Sequence, residues 1–236
     1  MKLPIFCYHK IGPLEEEGRS LNVEPQTLSD QIQFFKKRGY RFIKASELQK
    51  PWPKRAICLT FDDGYLSTLT HGVEVLKKHE VSATIYVVPT CIGKNSSWKN
   101  AAPCPLASWE TLKDAVQKGI EISNHTFTHP YLTELSLEEQ IQEITLAHQS
   151  LKEHGFSSES FCFPYGFFNA QTLEAMKHTD YKIGLGLSRR RATPKDNPLA
   201  LPRIVIRNSD KLPLLFYTLY LRPYLHYFHK RPHYIP

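Results

Sequence analysis

The stretch Thr60-Phe61-Asp62-Asp63-Gly64-Tyr65 places two adjacent carboxylates behind an apolar run and ahead of a glycine. An Asp-Gly pair alone marks a turn. Two acids hard against a buried strand, however, repel each other unless a cation or a proton holds them together. Further ligands for such a cation stand at His125-Thr126-Phe127-Thr128-His129. These are two imidazoles four residues apart, which share a face in a helical or tight-turn conformation at roughly 6 Å between β-carbons. They can therefore reach one ion with bonds of about 2.0–2.1 Å. Two nitrogens and one carboxylate leave positions open for water. That is the catalytic rather than the closed structural arrangement, and water so bound ionises near pH 7. If one aspartate binds the ion, its neighbour is free to take the water's proton.

Three further signals accompany these: Phe161-Cys162-Phe163-Pro164-Tyr165-Gly166, an apolar run ending in a proline-glycine turn; Tyr8-His9; and Leu201-Pro202-Arg203-Ile204. The elements that must position them follow from periodicity. Strands are expected at 3–8, 56–61, 83–88, 120–122, 160–163, 182–187 and 203–206, and helices at 26–37, 66–78, 108–118 and 136–153. The last helix opens with Ser136 and has Glu139 three residues on, a capping box. Strands alternating with helices imply a parallel sheet or barrel. All five signals fall at strand ends, four of them at the C-terminal end, where barrels of parallel strands build their active sites. Residues 89–107, rich in Pro, Ser, Asn and Cys, form the longest irregular stretch, and a loop of that length is usually functional.

Hydrophobic residues make up 41% of the 236, enough for a packed core and against disorder. The net charge of +7 fits either a solvated basic surface or attraction to an anionic partner such as a phosphorylated glycolipid, a membrane surface or nucleic acid. The five cysteines are odd in number and include no CxxC pair, which argues for a reducing compartment. Cys7, Cys58 and Cys162 lie in strand-like runs, where a thiol behaves as a small hydrophobe. No apolar run is long enough for a transmembrane helix, and the N-terminal run is too short for a signal-peptide core. A cytoplasmic protein, peripheral to the inner membrane face, is the expectation. Residues 211–236 change character. A dense apolar segment gives way to alternating basic and aromatic residues, read as a last helix with a trailing tail or as an interfacial membrane anchor. Nucleic-acid contact through the same residues is not expected.

These residues resemble the polysaccharide deacetylase family, which includes the chitooligosaccharide deacetylases with the NodB homology domain. Thr60 to Gly64 matches the family's first motif, His125-Thr126-Phe127-Thr128-His129 its His-Ser/Thr-x-x-His motif, and Pro164-Tyr165 the end of its third. The resemblance spans residues 3 to about 206. It implies a distorted (β/α)7 TIM-like barrel, expected here as a single catalytic domain over 1–210 with 211–236 as an appended helix or tail. It implies Asp62 as general base, with Asp63, His125 and His129 as ligands of a divalent metal. Zinc is the usual ion, and cobalt, nickel and manganese are compatible with the ligand set. It also implies metal-assisted hydrolysis of the N-acetyl group of an amino sugar, with the Tyr165 backbone N–H sharing the oxyanion. Two positions depart from the family. Cys162 stands where the third motif often has an arginine that holds the base, so Arg203 is expected to take that role. The late Leu-x-His motif, which supplies the general acid, is absent from 204–210, and His9 is the candidate in its place. The expected substrate is an N-acetylated amino sugar in a glycan or a lipid- or nucleotide-linked precursor. The alternatives are a deformylase or deacylase acting on a lipid-linked amino sugar, and a catalytically inactive glycan- or membrane-binding homologue.

Overall fold

The computed structural model describes residues 2–98, 102–212 and Leu215. Among the described residues the main sheet has eight parallel strands: β1 (Ile5–Tyr8), β2 (Arg41–Ile43), β3 (Ala56–Phe61), β4 (Thr84–Val87), β5 (Glu121–Asn124), β6 (Ser160–Cys162), β7 (Ile183–Leu187) and β8 (Leu201–Val205). Seven of them close a ring in the order β1-β3-β4-β5-β6-β7-β8, because β8 pairs β1 at Phe6↔Ile204 and β1 pairs β3 from Ile5↔Cys58 to Tyr8↔Phe61. The fold is thus the expected (β/α)7 barrel in a single domain. The three-residue β2 lies beside the first half of β3 at Arg41↔Ala56, and β4 takes over the same edge at Thr60↔Thr84. Closure leaves the ring no open edge.

Around the ring lie α1 (Pro25–Lys36), α2 (Val73–Lys78), α3 (Trp109–Gln117), α4 (Leu137–Glu153) and α5 (Ala170–Lys177). The Ser136–Glu139 capping box is formed: Glu139 N–H donates to Ser136 Oγ (3.3 Å) and Ser136 N–H to Glu139 Oε2 (2.8 Å). The helix expected over 66–78 instead opens with a wide turn, Thr68–Gly72, before α2. Neither β2 nor α5 was expected. The first is too short to show a period, and the second is a two-turn helix whose signal is the Asn169 cap rather than an apolar stripe. The described residues of the 89–107 stretch are not structureless. They bridge antiparallel at Asn95↔Pro105 and Tyr65↔Leu106.

Strand alternation sorts side chains into two sets. Phe6, Tyr8, Ile57, Leu59, Phe61, Ile85, Val87 and Ile204 pack outward against Leu28, Ile32 and Phe35 of α1, Val73 and Leu76 of α2, and Leu112 of α3. Each such fully buried chain contributes about 1.5–3 kcal/mol of transfer free energy. Ile5, Cys58, Tyr86, Cys162, Ile183, Leu185 and Leu201 fill the barrel. By the same alternation Cys7, Thr60 and Arg203 also point inward, above this apolar floor. Leu215 is buried in the outer cluster. Most of the C-terminal segment, and with it the expected membrane-surface role, lies outside the described residues. Among the described residues no helix is long and apolar enough to cross a membrane.

Candidate active site

Four of the expected site segments leave the C-terminal ends of ring strands: His9 after β1, Asp62 and Asp63 after β3, His125 to His129 after β5, and Tyr165 after β6. Among the described residues six non-glycines have positive φ, and four are here: Asp63 (72°), Thr126 (68°), His129 (65°) and Tyr165 (59°). Non-glycine residues adopt that region at a cost and concentrate at functional sites, where the surroundings over-determine them. Gly64 (φ 72°) is required for space as well, since a Cβ there would lie 2.8 Å from Val87 Cγ1.

The loop bearing the two histidines is not a helical turn. Thr126 N–H donates to Asn124 Oδ1 (2.8 Å), and His129 N–H to Thr126 Oγ1 (3.0 Å). Glu143, reaching across from α4, accepts the Phe127 and Thr128 N–H groups on Oε2 (3.0 and 2.8 Å) and the Thr128 hydroxyl on Oε1 (2.8 Å). Left-handed steps at both ends of the loop turn His125 and His129 towards the same carboxylate.

Asp63 Oδ1 lies 3.4 Å from His125 Nε2 and 3.3 Å from His129 Nε2, and all three residues are buried. Those separations are long for charge-assisted hydrogen bonds, which run about 2.7–2.9 Å. They equal the edge, about 3.3 Å, of a tetrahedron of ligands at 2.0–2.1 Å from one ion. The tautomer agrees. His125 Nδ1 lies 2.9 Å from the Cys162 carbonyl oxygen, which can only accept. In the neutral ring, therefore, Nδ1 carries the proton and the Nε2 lone pair faces Asp63. A lone pair aimed at a carboxylate oxygen needs a cation or a proton between them, and these separations suit a cation. Burial also pushes the His129 imidazole below its ordinary pKa, although Asp63 opposes this, and so favours the form that can ligate. The donor set fits a divalent ion. Trp98, from the long loop, packs at a tilt against His129 (ring centroids 4.1 Å) and donates from Nε1 to the Tyr65 hydroxyl (3.0 Å). Burial and the Asp63 charge push that hydroxyl's pKa up.

Asp62 sits in a second nest. Arg203, 0% exposed, comes from β8 and grips both carboxylate oxygens, Nη1 to Oδ1 at 2.6 Å and Nη2 to Oδ2 at 2.7 Å. Burial alone would push the Asp62 carboxyl up, but the Arg203 charge and its hydrogen bonds outweigh burial and hold it well below the usual carboxylate range. Arg203 therefore occupies the position expected of it. His9 is half-buried; one ring nitrogen lies within 4.8 Å of an Asp62 oxygen and the Cys7 sulfur, and its Nδ1 is buried without a partner among the described residues. Tyr165 is one residue past Pro164. Its ring stacks on Tyr131 (4.0 Å) and stands edge-on to His129 (4.7 Å).

The sequence pattern of the polysaccharide deacetylases matches residues 49–184, more than half of the chain. The chain belongs to the polysaccharide deacetylase family. Among deacetylase relatives, YxkH of Bacillus subtilis (strain 168) is 28% identical over 212 residues, covering 86% of this chain and 71% of its own. The poly-beta-1,6-N-acetyl-D-glucosamine N-deacetylase of Staphylococcus aureus (strain MRSA252) is 23% identical over 209 residues, 82% of this chain and 71% of its own. The deacetylase PplD of Streptococcus pyogenes, solved with acetate, superposes with a TM-score of 0.80 at 26% identity, over 92% of this chain and 98% of PplD.

Asn124, Glu143, Tyr65, Trp98 and the thiols of Cys7 and Cys162 also belong to this deacetylase-family site, and periodicity points to none of them. Tyr65 ends the stretch that begins at Thr60, Cys162 stands in the third motif, and Trp98 lies in the long irregular loop, but none of these signals assigns a role. Glu143 reads as one more polar residue on an amphipathic helix, and the thiols read as packing.

Proposed function

We propose that this chain is a divalent-metal-dependent hydrolase that removes the N-acetyl group from an amino sugar, with a polymer of N-acetylglucosamine as the substrate class. The observation that carries the reading is the pair of adjacent aspartates with opposite surroundings: Asp63 faces two imidazole nitrogens, and Asp62 is gripped by a guanidinium. One carboxylate is thereby committed to a cation and the other to a proton. The substrate class rests on the S. aureus relative, and the acetate in PplD is the acid such a reaction releases.

Asp63, His125 and His129 would hold the ion, zinc being the commonest choice for this donor set. A bound divalent ion supplies Lewis acidity, polarising the acetamide carbonyl and lowering the pKa of water to about 7. Asp62, ionised at every working pH, accepts the proton of the attacking water, and Arg203 keeps the carboxylate in register. The Tyr165 backbone N–H is assigned to the developing oxyanion. His9, beside Asp62 with an unpartnered ring nitrogen, is assigned to protonate the departing amine.

The test is a pair of variants assayed on a chitooligosaccharide or β-1,6-linked oligomer for released acetate, with metal measured by mass spectrometry. Asp62→Asn is expected to abolish turnover with metal content unchanged, and Asp63→Ala to lose both. Equal metal in wild type and Asp63→Ala removes Asp63 from the coordination shell, and full activity of Asp62→Asn removes the base.

A further inference from the structure

We propose that the Cys162 thiol, assisted by that of Cys7, is a positioning element of the base: it closes the donor set of Arg203 and pins Asp62 Oδ2. The proposal rests on the role given to Asp62 above.

A guanidinium has five N–H donors and accepts nothing. Arg203 is fully buried, so each donor needs an acceptor. Nε donates to the Gly186 carbonyl (3.2 Å), Nη1 to Thr60 Oγ1 (2.9 Å) and Asp62 Oδ1 (2.6 Å), and Nη2 to Asp62 Oδ2 (2.7 Å). The fifth acceptor is Cys162 Sγ, 2.9 Å from Nη2. Thr60 Oγ1 is able to accept because its own proton goes to the Phe6 carbonyl (2.7 Å). The Cys162 S–H in turn points at Asp62 Oδ2 (3.5 Å), and the Cys7 S–H reaches the same oxygen from β1 (3.3 Å). Two weak donors and one arm of the guanidinium thus meet on Oδ2. An apolar side chain at position 162 would leave an Arg203 N–H with no partner and remove one of the three groups that meet on Asp62 Oδ2, loosening the guanidinium–carboxylate pair.

Hydroxyl and thiol share both roles, whereas a methyl group shares neither. Cys162→Ser, Cys162→Ala and Cys162→Val, together with Cys7→Ala, separate hydrogen bonding from packing. Cys162→Ala and Cys162→Val are expected to lower kcat about 10–100-fold, with KM and metal affinity unchanged. Cys162→Ser recovers most of that loss, and Cys7→Ala costs less than Cys162→Ala. Valine performing as well as serine, or alanine matching wild type, overturns the proposal. The S–H stretching absorption of wild type and Asp62→Asn supplies a readout independent of substrate. Two hydrogen-bonded S–H bands are expected to shift when the carboxylate is replaced, and one of them to vanish in Cys162→Ser. Bands indifferent to Asp62 overturn the proposal even where turnover is never found, an outcome that would count against the enzymatic reading instead.

Discussion

Replacing Arg203 perturbs the proposed base without touching Asp63, His125 and His129. Arg203→Met removes the guanidinium that grips Asp62 and leaves a buried carboxylate hydrogen-bonded by two thiols. Removing one partner of a buried pair costs about 3–5 kcal/mol. Arg203→Lys keeps the charge, but its three N–H groups can serve only three of the five acceptors; two buried acceptors go unsatisfied at about 1–3 kcal/mol each, or about 2–6 kcal/mol together. The two variants differ in their pH dependence. In wild type the Asp62 carboxyl lies below its unfolded value, so its contribution to stability is present above about pH 3.9 and is lost as the pH falls further. In Arg203→Met burial, the largest influence on this carboxyl, loses its main opponent and raises Asp62. The penalty is then full above the raised value, and it shrinks by about 1.4 kcal/mol for each pH unit from there down to about 3.9. Urea unfolding of metal-free protein at pH 7.0 and 4.5 measures both terms, with released acetate reporting kcat. The methionine variant is expected to approach wild type in stability at the lower pH, and Arg203→Lys to lose at least about tenfold in kcat. A gap between Arg203→Met and wild type that is equal at both pH values, or a lysine variant with wild-type stability and turnover, refutes the electrostatic account of Arg203.

Two other perturbations probe the supports of the site. Glu143→Ala leaves the Phe127 and Thr128 N–H groups and the Thr128 hydroxyl without their acceptor. Metal affinity, read by competition with a chromophoric chelator, is expected to fall about 10–100-fold, and an unchanged affinity shows that the loop holds its shape without Glu143. Gly166→Ala places a Cβ 2.4 Å from Leu187 Cγ at φ 73°. Overpacking of about 1–3 kcal/mol predicts a Tm lower by roughly 2–4 °C for each kcal/mol, and an undiminished Tm in a calorimetric scan rejects the close contact.

Much of the ligand geometry was legible in the chain itself. Adjacent carboxylates after a buried strand, and imidazoles four apart after another, are local facts. In a parallel barrel every strand end falls on one rim, so alternation alone predicted that Asp63, His125 and His129 would converge. Hydrophobic period likewise located the seven ring strands and four of the helices, because each buries one stripe or both faces. Three decisions belonged to tertiary structure. Ring closure, in which β8 meets β1 and β1 meets β3, brings residue 203 against residue 62 across 141 positions of sequence, and nothing local to either records that meeting. The Arg203 donor set turned Cys7 and Cys162 from packing atoms into hydrogen-bonding ones, since a thiol's role depends on what charge it faces. The left-handed backbone of the histidine loop is held by Asn124, a sequence neighbour, and by Glu143, which reaches it only because α4 packs alongside. Local sequence specifies side-chain chemistry and periodicity; distance between segments, and the electrostatics that depend on it, exist only once the barrel has closed.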